Sequence, residues 1–447
     1  MFGIKTRIKK IIKSMYSKLY AIEQEFLKVN PIFDTRYLDK KIEGYALSVV
    51  SQPTHSAPIN KNHIALFATE IYDMGGSTEL LKNLSQVLSK EYKIKLFLTK
   101  KTKSEQNTVK KMPEIKKYMI IGGIDFYCKN EKVLLSQFLR QLQEFSPSIL
   151  ITFLHPEDTV ATAILALVKR HTHTKVIFCN VASQYSVLGM SFADLIWEGM
   201  PSTAFVTQRY RGFKNTKSLG LCYLTKDRLP TFNEQDIAMA KKEIGIPENA
   251  LCTMSGCNSY KLFENGKSPY LKMIKKLLEE NECLWHVLIA EFYGEQKKIL
   301  DEMDMPNRFI LTDSKPNFKL YFKCADVFID SFPMSSALTM VDLMSLKVPF
   351  VAFKNKENLV LSFHEYFSEN YDYLFDNTSD MQTGIEKLLY NKDEQKRITN
   401  KNFEHFLEYF EGSRVAQKIL TTNSFDPEFS GEKYKDFRAI KLLPRRV

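Results

Sequence analysis

DVFIDSFPMSSALTMVDLMSLKVPFVAF, residues 326–353, decides the fold. DVFIDSF (326–332) is an apolar run short enough for a buried strand, and VPFVAF (348–353) is another. Between them lie a Ser-rich turn and an apolar-periodic segment from about Ala337 to Leu346, which predicts a helix. Strand, turn, helix and strand make one βαβ unit, and such units build parallel sheets. Ser335, Ser336 and Thr339 cluster at the start of the helix, with Asp342 three residues after Thr339. Unpaired N–H groups and the helix dipole suit a diphosphate there, and a carboxylate one turn on suits ribose hydroxyls. The bland alternative is that the serines cap the helix and Asp342 merely favours its positive end.

The same grammar runs outward in both directions. Before this unit come strand candidates at 251–257, 283–290 and 308–313, alternating with helices at 268–281, 294–303 and 318–325. After it, 379–422 is mostly helical. The first half repeats the alternation, with strands HIALFATEIY (63–72), IKLFLTK (94–100), SILITFLH (148–155) and KVIFCNVA (175–182). Helices are predicted between them at 77–92, near 132–145 and at 158–170. The fold class is therefore α/β, with two Rossmann-like doubly wound domains, an N-terminal helical extension and a basic C-terminal tail. The expected boundaries are 1–44, a basic amphipathic extension; 45–62, a Ser/Pro-rich linker; 63–240 and 241–422, the two domains; and 423–447, a basic tail. In such folds ligands lie at the carboxyl ends of the strands, here expected in a cleft between the domains.

Composition excludes other classes. The 447 residues are 44% hydrophobic and 26% charged, the balance of a soluble globular chain. No apolar stretch reaches the ~20 residues that span a bilayer. The opening lacks a secretory signal's apolar core, so a cytoplasmic location is expected. Seven scattered cysteines form no Cys-x-x-Cys and no zinc spacing. The +11 charge is carried entirely by residues 1–20 and 433–447. A nucleic-acid enzyme is more often basic along a body groove, so no nucleic-acid partner is expected. Basic ends suit an anionic membrane face instead. Ile4, Ile8, Ile11, Ile12, Met15 and Leu19 fall at helical spacing among lysines. That stripe either lies on a bilayer or packs on the body.

Gly75-Gly76 opens the first predicted helix and is not a Gly-x-Gly-x-x-Gly; no Walker motif occurs, which argues against dehydrogenases and P-loop kinases. His155 ends a strand on the ligand side, either as a general base, as a donor-orienting group or as a hydrogen-bonded strand end. His364 follows the last predicted strand, with helix packing as its alternative. The basic-aromatic loop QRYRGFK (208–214) reads as solvated, with the holding of an anionic acceptor as its alternative. No Asp-x-Asp follows a strand, so no metal and no other cofactor are expected.

The stretch 256–353 resembles the sugar-nucleotide-binding half of GT-B glycosyltransferases, most of all the O-GlcNAc transferase group and the bacterial cytoplasmic N-glycosyltransferases. The matching pieces are CNSYKL (257–262), LWHVLIA (284–290), MPNRFILTD (305–313), ADVFIDSFP (325–333) and ALTMVDLMSLKVPFVAF (337–353). HPEDTVA (155–161), VIFCN (176–180) and SVLGMSFADL (186–195) resemble the first half of the bacterial branch. The resemblance implies Lys261 on the donor diphosphate, Asn258 as a neighbouring polar contact, Ser335, Ser336 and Thr339 in the phosphate loop, and Asp342 on the ribose. It implies Gly75, Gly76 and His364 on the acceptor or donor-sugar side. The family's Gly-His-Thr-Thr-Gly loop reads Ser335-Ser336-Ala337-Leu338-Thr339-Met340 here, and the Glu-x7-Glu motif of a large retaining family is absent. The expected activity is transfer from a nucleotide sugar, uridine-linked by preference, to a cell-surface glycan or lipid-linked acceptor. The alternatives are a protein O- or N-glycosyltransferase, a sugar-nucleotide epimerase and a non-catalytic scaffold on the same fold.

Overall fold

The computed structural model describes residues 18–29, 33–50, 58–72, 75–100, 105–120, 131–313, 317–356, 358, 361, 364–367, 371–426 and 434. The first seventeen residues, the middle of the expected linker, nearly all of the basic tail and the His364 side chain lie outside them. The chain divides into two compact units. One is Met1–Tyr223 with Gly412–Gly431 and Lys441–Val447; the other is Leu224–Glu411 with Glu432–Ile440.

The first unit holds seven strands: β1 Asn60–Ala68, β2 Lys93–Leu98, β3 Ile115–Ile120, β4 Pro147–Phe153, β5 Lys175–Cys179, β6 Leu195–Glu198 and β7 Thr216–Ser218. They pair in the order β3-β2-β1-β4-β5-β6-β7, all parallel. The second unit holds β8 Leu251–Gly256, β9 Leu284–Ile289, β10 Phe309–Thr312, β11 Val327–Ile329, β12 Phe350–Phe353 and β13 Leu374–Phe375. Their order is β10-β9-β8-β11-β12-β13, again parallel. Both sheets thus grow one way from their first strand and then the other, the doubly wound pattern. Each therefore has a switch point, between β1 and β4 and between β8 and β11. The parallel strands are apolar runs because helices cover both faces of such a sheet. In β1, Ile64 to Phe67 are fully buried. The periodicity does not disclose β3, β6, β7 or β13, which are short or lie at sheet edges.

The extension departs from the expected boundaries. Arg36–Val49 is helical, so the linker does not open at residue 45. Leu38, Ile42 and Ala46 repeat every fourth residue and are fully buried, which places one face of this helix in the core of the first unit. Leu19, Ile22 and Phe26 of the helix Lys18–Val29 join the same core. The end of the stripe proposed for a bilayer therefore packs on the body. Thr35 Oγ1 donates to the Val187 carbonyl at 2.6 Å, and Asp39 accepts from Gly189 N at 2.8 Å. The expected solvated loop is only partly so: Arg209, Tyr210, Gly212 and Lys214 are exposed, while Gln208, Arg211 and Phe213 are buried. Arg211 is 1% exposed, donates to the Ser183 carbonyl at 2.6 Å, and lies close enough to buried Glu198 for the two charges to attract.

The join falls at 223/224 rather than 240/241. Residues 234–243 form a helix that packs on Phe318–Phe322, with Tyr321 donating to Glu243 at 2.8 Å. At the other end, Gly412–Thr421 belongs to the first unit and packs on the helix Gly76–Leu88. Lys175 donates to the Thr422 carbonyl at 3.1 Å, and Asp426 takes Ser218 N at 2.7 Å. The first domain is completed by residues from beyond the second.

Candidate functional site

Each switch point carries one cluster of polar side chains. In the second unit, β8 ends at Gly256, where a Cβ would come within 3.1 Å of the Phe322 ring. The chain then turns through a single 3-10 turn, Ser259–Leu262. This places Lys261 across from the loop that follows β11, and its Nζ donates to the Ser335 carbonyl at 3.1 Å. Ser335 lies two residues before Ala337, the N-cap of the helix Leu338–Ser345. A partly buried ammonium thus stands beside a helix N-terminus, where backbone donors and dipole both favour an anion. Burial pulls the Lys261 pKa below the usual lysine value, against the opposing attraction of the Asp330 carboxylate.

The serines do something other than cap the helix. Ser335 Oγ donates to Asp330 Oδ2 at 2.5 Å and Ser336 Oγ to Asp330 Oδ1 at 2.6 Å. Their hydroxyl protons face inward to a fully buried carboxylate. No side chain caps the helix at Ala337. Thr339 is partly exposed in the first turn. Asp342 is 6% exposed, and its Oδ1 lies 3.1 Å from Lys319 Nζ, so the expected ribose carboxylate already has a cation beside it. Asn258 is exposed and gives its carbonyl to Lys261 N at 3.0 Å. The structure brings Lys261, Ser335 and Ser336 together and adds Asp330, which the sequence reading did not single out as a site residue.

Ala337 has φ of 52° and ψ of −95°, a conformation that costs a residue with a Cβ about 1–3 kcal/mol. Ala337→Gly is expected to raise the melting temperature by about 2–4 °C, equivalent to ~1 kcal/mol in a domain of this size. A thermal melt with an unchanged or lower midpoint counts against strain at this position.

In the first unit, the segments after β1 and β4 bring Glu70 and His155 together. His155 Nδ1 lies 3.4 Å from Glu70 Oε1, a charge-pairing distance rather than a made hydrogen bond. Glu70 also accepts from the Tyr72 hydroxyl, and the Tyr72 ring lies parallel to the imidazole with centroids 6.3 Å apart. The backbone of the turn is fixed from below. His155 N donates to Thr69 Oγ1 at 2.8 Å, Thr69 Oγ1 donates to Asp158 Oδ2 at 2.7 Å, and Asp158 caps the helix Thr159–His171 through Ala161 N at 2.8 Å. A carboxylate facing Nδ1 favours a proton there electrostatically, which leaves Nε2 to accept. Gly75 and Gly76 open the neighbouring helix Gly76–Leu88 and are exposed. Gly75 is extended, with 3.8 Å to the nearest atom from a built Cβ, so neither torsion nor space demands glycine there. His364 begins a 3-10 turn, His364–Tyr366, in the second unit, away from the His155 cluster in sequence and in compact unit.

No protein-family model matches the sequence, and no curated protein does. Solved structures do match. HepE from Anabaena, solved with UDP and glucose, is 13% identical with a TM-score of 0.62, covering 80% of this chain and 98% of that one. A glycosyltransferase from Rickettsia africae is 10% identical with a TM-score of 0.63, covering 85% and 99%. An O-GlcNAc transferase from Thermobaculum terrenum is 11% identical with a TM-score of 0.54, covering 96% of this chain and 77% of that one. The fold is GT-B. On a GT-B chain the two clusters occupy equivalent places, one at the switch point of each sheet. Glu70 and Asp330 were the residues that sequence reasoning missed there. The available signal was an acid within two residues of the end of an apolar run, at Ala68 and at Ile329.

Proposed function

We propose that this chain is a glycosyltransferase that takes a nucleotide sugar as donor on the second unit. The observation that carries the reading is the Lys261 ammonium beside the start of the helix Leu338–Ser345, at the switch point of a GT-B sheet. Likeness to a fold solved with UDP and with UDP-glucose supports a uridine-linked donor. The diphosphate sits against Lys261 and the N–H groups of the helix start, so negative charge that grows as the glycosidic bond breaks meets positioned donors. An acceptor hydroxyl attacks the anomeric carbon, the nucleoside diphosphate departs, and the hydroxyl proton passes to His155, which Glu70 orients. No resident cofactor enters the scheme.

The test is a titration of the full chain with nucleoside diphosphates and nucleotide sugars, followed by thermal stability. A ligand at 100 times its dissociation constant adds about 2.7 kcal/mol. Stabilisation by one uridine sugar supports the reading; a flat response across the panel sinks it.

The acceptor in this reading is a glycan precursor on a lipid, because the five cations among residues 1–17 favour an anionic surface. Removal of residues 1–17 is expected to move the protein from anionic phospholipid vesicles to the supernatant on sedimentation. The cut stops there because Leu19 and Ile22 are core residues. Sedimentation that does not change rules out this anchor and leaves a protein acceptor as the better reading.

A further inference from the structure

We propose that Asp330 is the positioning residue of the donor site: its carboxylate folds the Ser331–Ser336 loop around itself and holds Lys261 beside that loop. The inference rests on the donor reading of Lys261. Asp330 is fully buried and follows β11 directly. It accepts from Ser331 N at 2.8 Å, Ser335 Oγ at 2.5 Å, Ser336 N at 3.0 Å and Ser336 Oγ at 2.6 Å. Three of the four donors meet Oδ1 and one meets Oδ2, so both oxygens are held by the loop. The loop is wrapped about one anion, much as a backbone nest wraps a phosphate.

The same loop is tied to the Lys261 turn. Met334 N donates to the Lys261 carbonyl at 3.3 Å, and Lys261 Nζ returns a bond to the Ser335 carbonyl. Ser335 therefore touches Asp330 through its hydroxyl and Lys261 through its carbonyl. A shift of the carboxylate moves the residue that seats the ammonium.

Asp330 also supplies counter-charge. Burial raises its own pKa and lowers that of Lys261, so removal from water costs both groups and each offsets part of the other's cost. Among the described residues, two other titratable groups that couple to this pair, Cys257 and Tyr270, are uncharged near neutrality. Burial pushes the Cys257 thiol up to about 12 and the Tyr270 phenol well above its usual range. His286, which meets the Tyr270 hydroxyl at 2.9 Å, is pushed down to about 3 by burial. Without Asp330, the Lys261 ammonium keeps its burial cost and loses its anionic neighbour.

The experiment reads Lys261 directly, by competitive acetylation of the whole chain across pH with mass spectrometry of its peptide, beside nucleoside diphosphate affinity. In D330N the Lys261 pKa is expected to fall by about one unit. Diphosphate affinity at pH 7 is expected to fall about tenfold, with the alkaline limb of binding shifted down by the same unit. Asp330→Glu keeps the charge and displaces the carboxylate, so it should preserve the Lys261 pKa and still lose affinity. It also carries the test if D330N does not fold. An unchanged Lys261 pKa in D330N, or wild-type affinity in D330E, overturns the proposal while leaving the donor reading intact. Failure of the wild-type chain to bind any nucleotide, with the Lys261 shift present, overturns the donor reading instead.

Discussion

Lys261→Ala is expected to weaken nucleoside diphosphate binding about 10- to 100-fold, which corresponds to the ~1.5–3 kcal/mol of a charge-assisted hydrogen bond to phosphate. The direction follows from position. Lys261 places a cation beside helix N–H groups, and the ligand carries the complementary charge. The fold should survive the change, because in the absence of ligand the ammonium sits below its usual pKa: its burial destabilises the free protein more than its neighbours repay. The melting temperature of the variant without nucleotide should accordingly equal or exceed that of the wild type. Calorimetric titration together with a thermal melt separates the two effects. Wild-type affinity in the variant removes Lys261 from the site, and a collapsed melt shows the residue to be structural.

Much of this molecule is legible in its apolar runs. HIALFATEIY, SILITFLH, LCTMSGC and DVFIDSF become β1, β4, β8 and β11, the four strands that flank the two switch points. They are readable because a strand buried on both faces is largely apolar. The helical extension was expected, but the burial of Arg36–Val49 escaped because its buried residues, Leu38, Ile42 and Ala46, are separated by charged ones, and its mean composition looks like a solvated tail. Lys261, Ser335 and Ser336 were marked by their resemblance to a known donor loop, yet the hydroxyls turned out to serve Asp330. No local pattern could say so. Whether a serine faces a ligand or a buried carboxylate depends on how the loop closes after β11. Glu70 and His155 are separated by 85 positions and meet only because β1 and β4 are neighbours in the sheet. Asp342 and Lys319 likewise meet across two helices. Sequence periodicity reports which face of an element is buried; it carries no record of which polar groups two elements bring together.

That pairing gives the largest rate effect expected here. His155→Ala should lower turnover of the stabilising nucleotide sugar by about 10²- to 10⁴-fold, the range for loss of a positioned general base. The dissociation constant for nucleoside diphosphate should stay within about twofold, because the role proposed for His155 is toward the acceptor hydroxyl and not the diphosphate. Turnover is followed as nucleoside diphosphate release with a membrane glycolipid extract as acceptor source, and again with added imidazole, which should restore part of the lost rate. Glu70→Gln keeps the size of the side chain and removes the charge 3.4 Å from Nδ1. It should cost turnover less than loss of the imidazole does, and imidazole should not repair it, since the ring is still present and only the charge facing Nδ1 is gone. The two variants and Lys261→Ala then form a crossed pattern: donor affinity lost with one unit altered, turnover lost with the other. Should His155→Ala lose donor affinity and turnover together, His155 contacts the donor and the proton must leave by another group. An unchanged turnover would remove His155 from the chemistry and leave the Tyr72–Glu70–His155 cluster as a brace between the ends of β1 and β4.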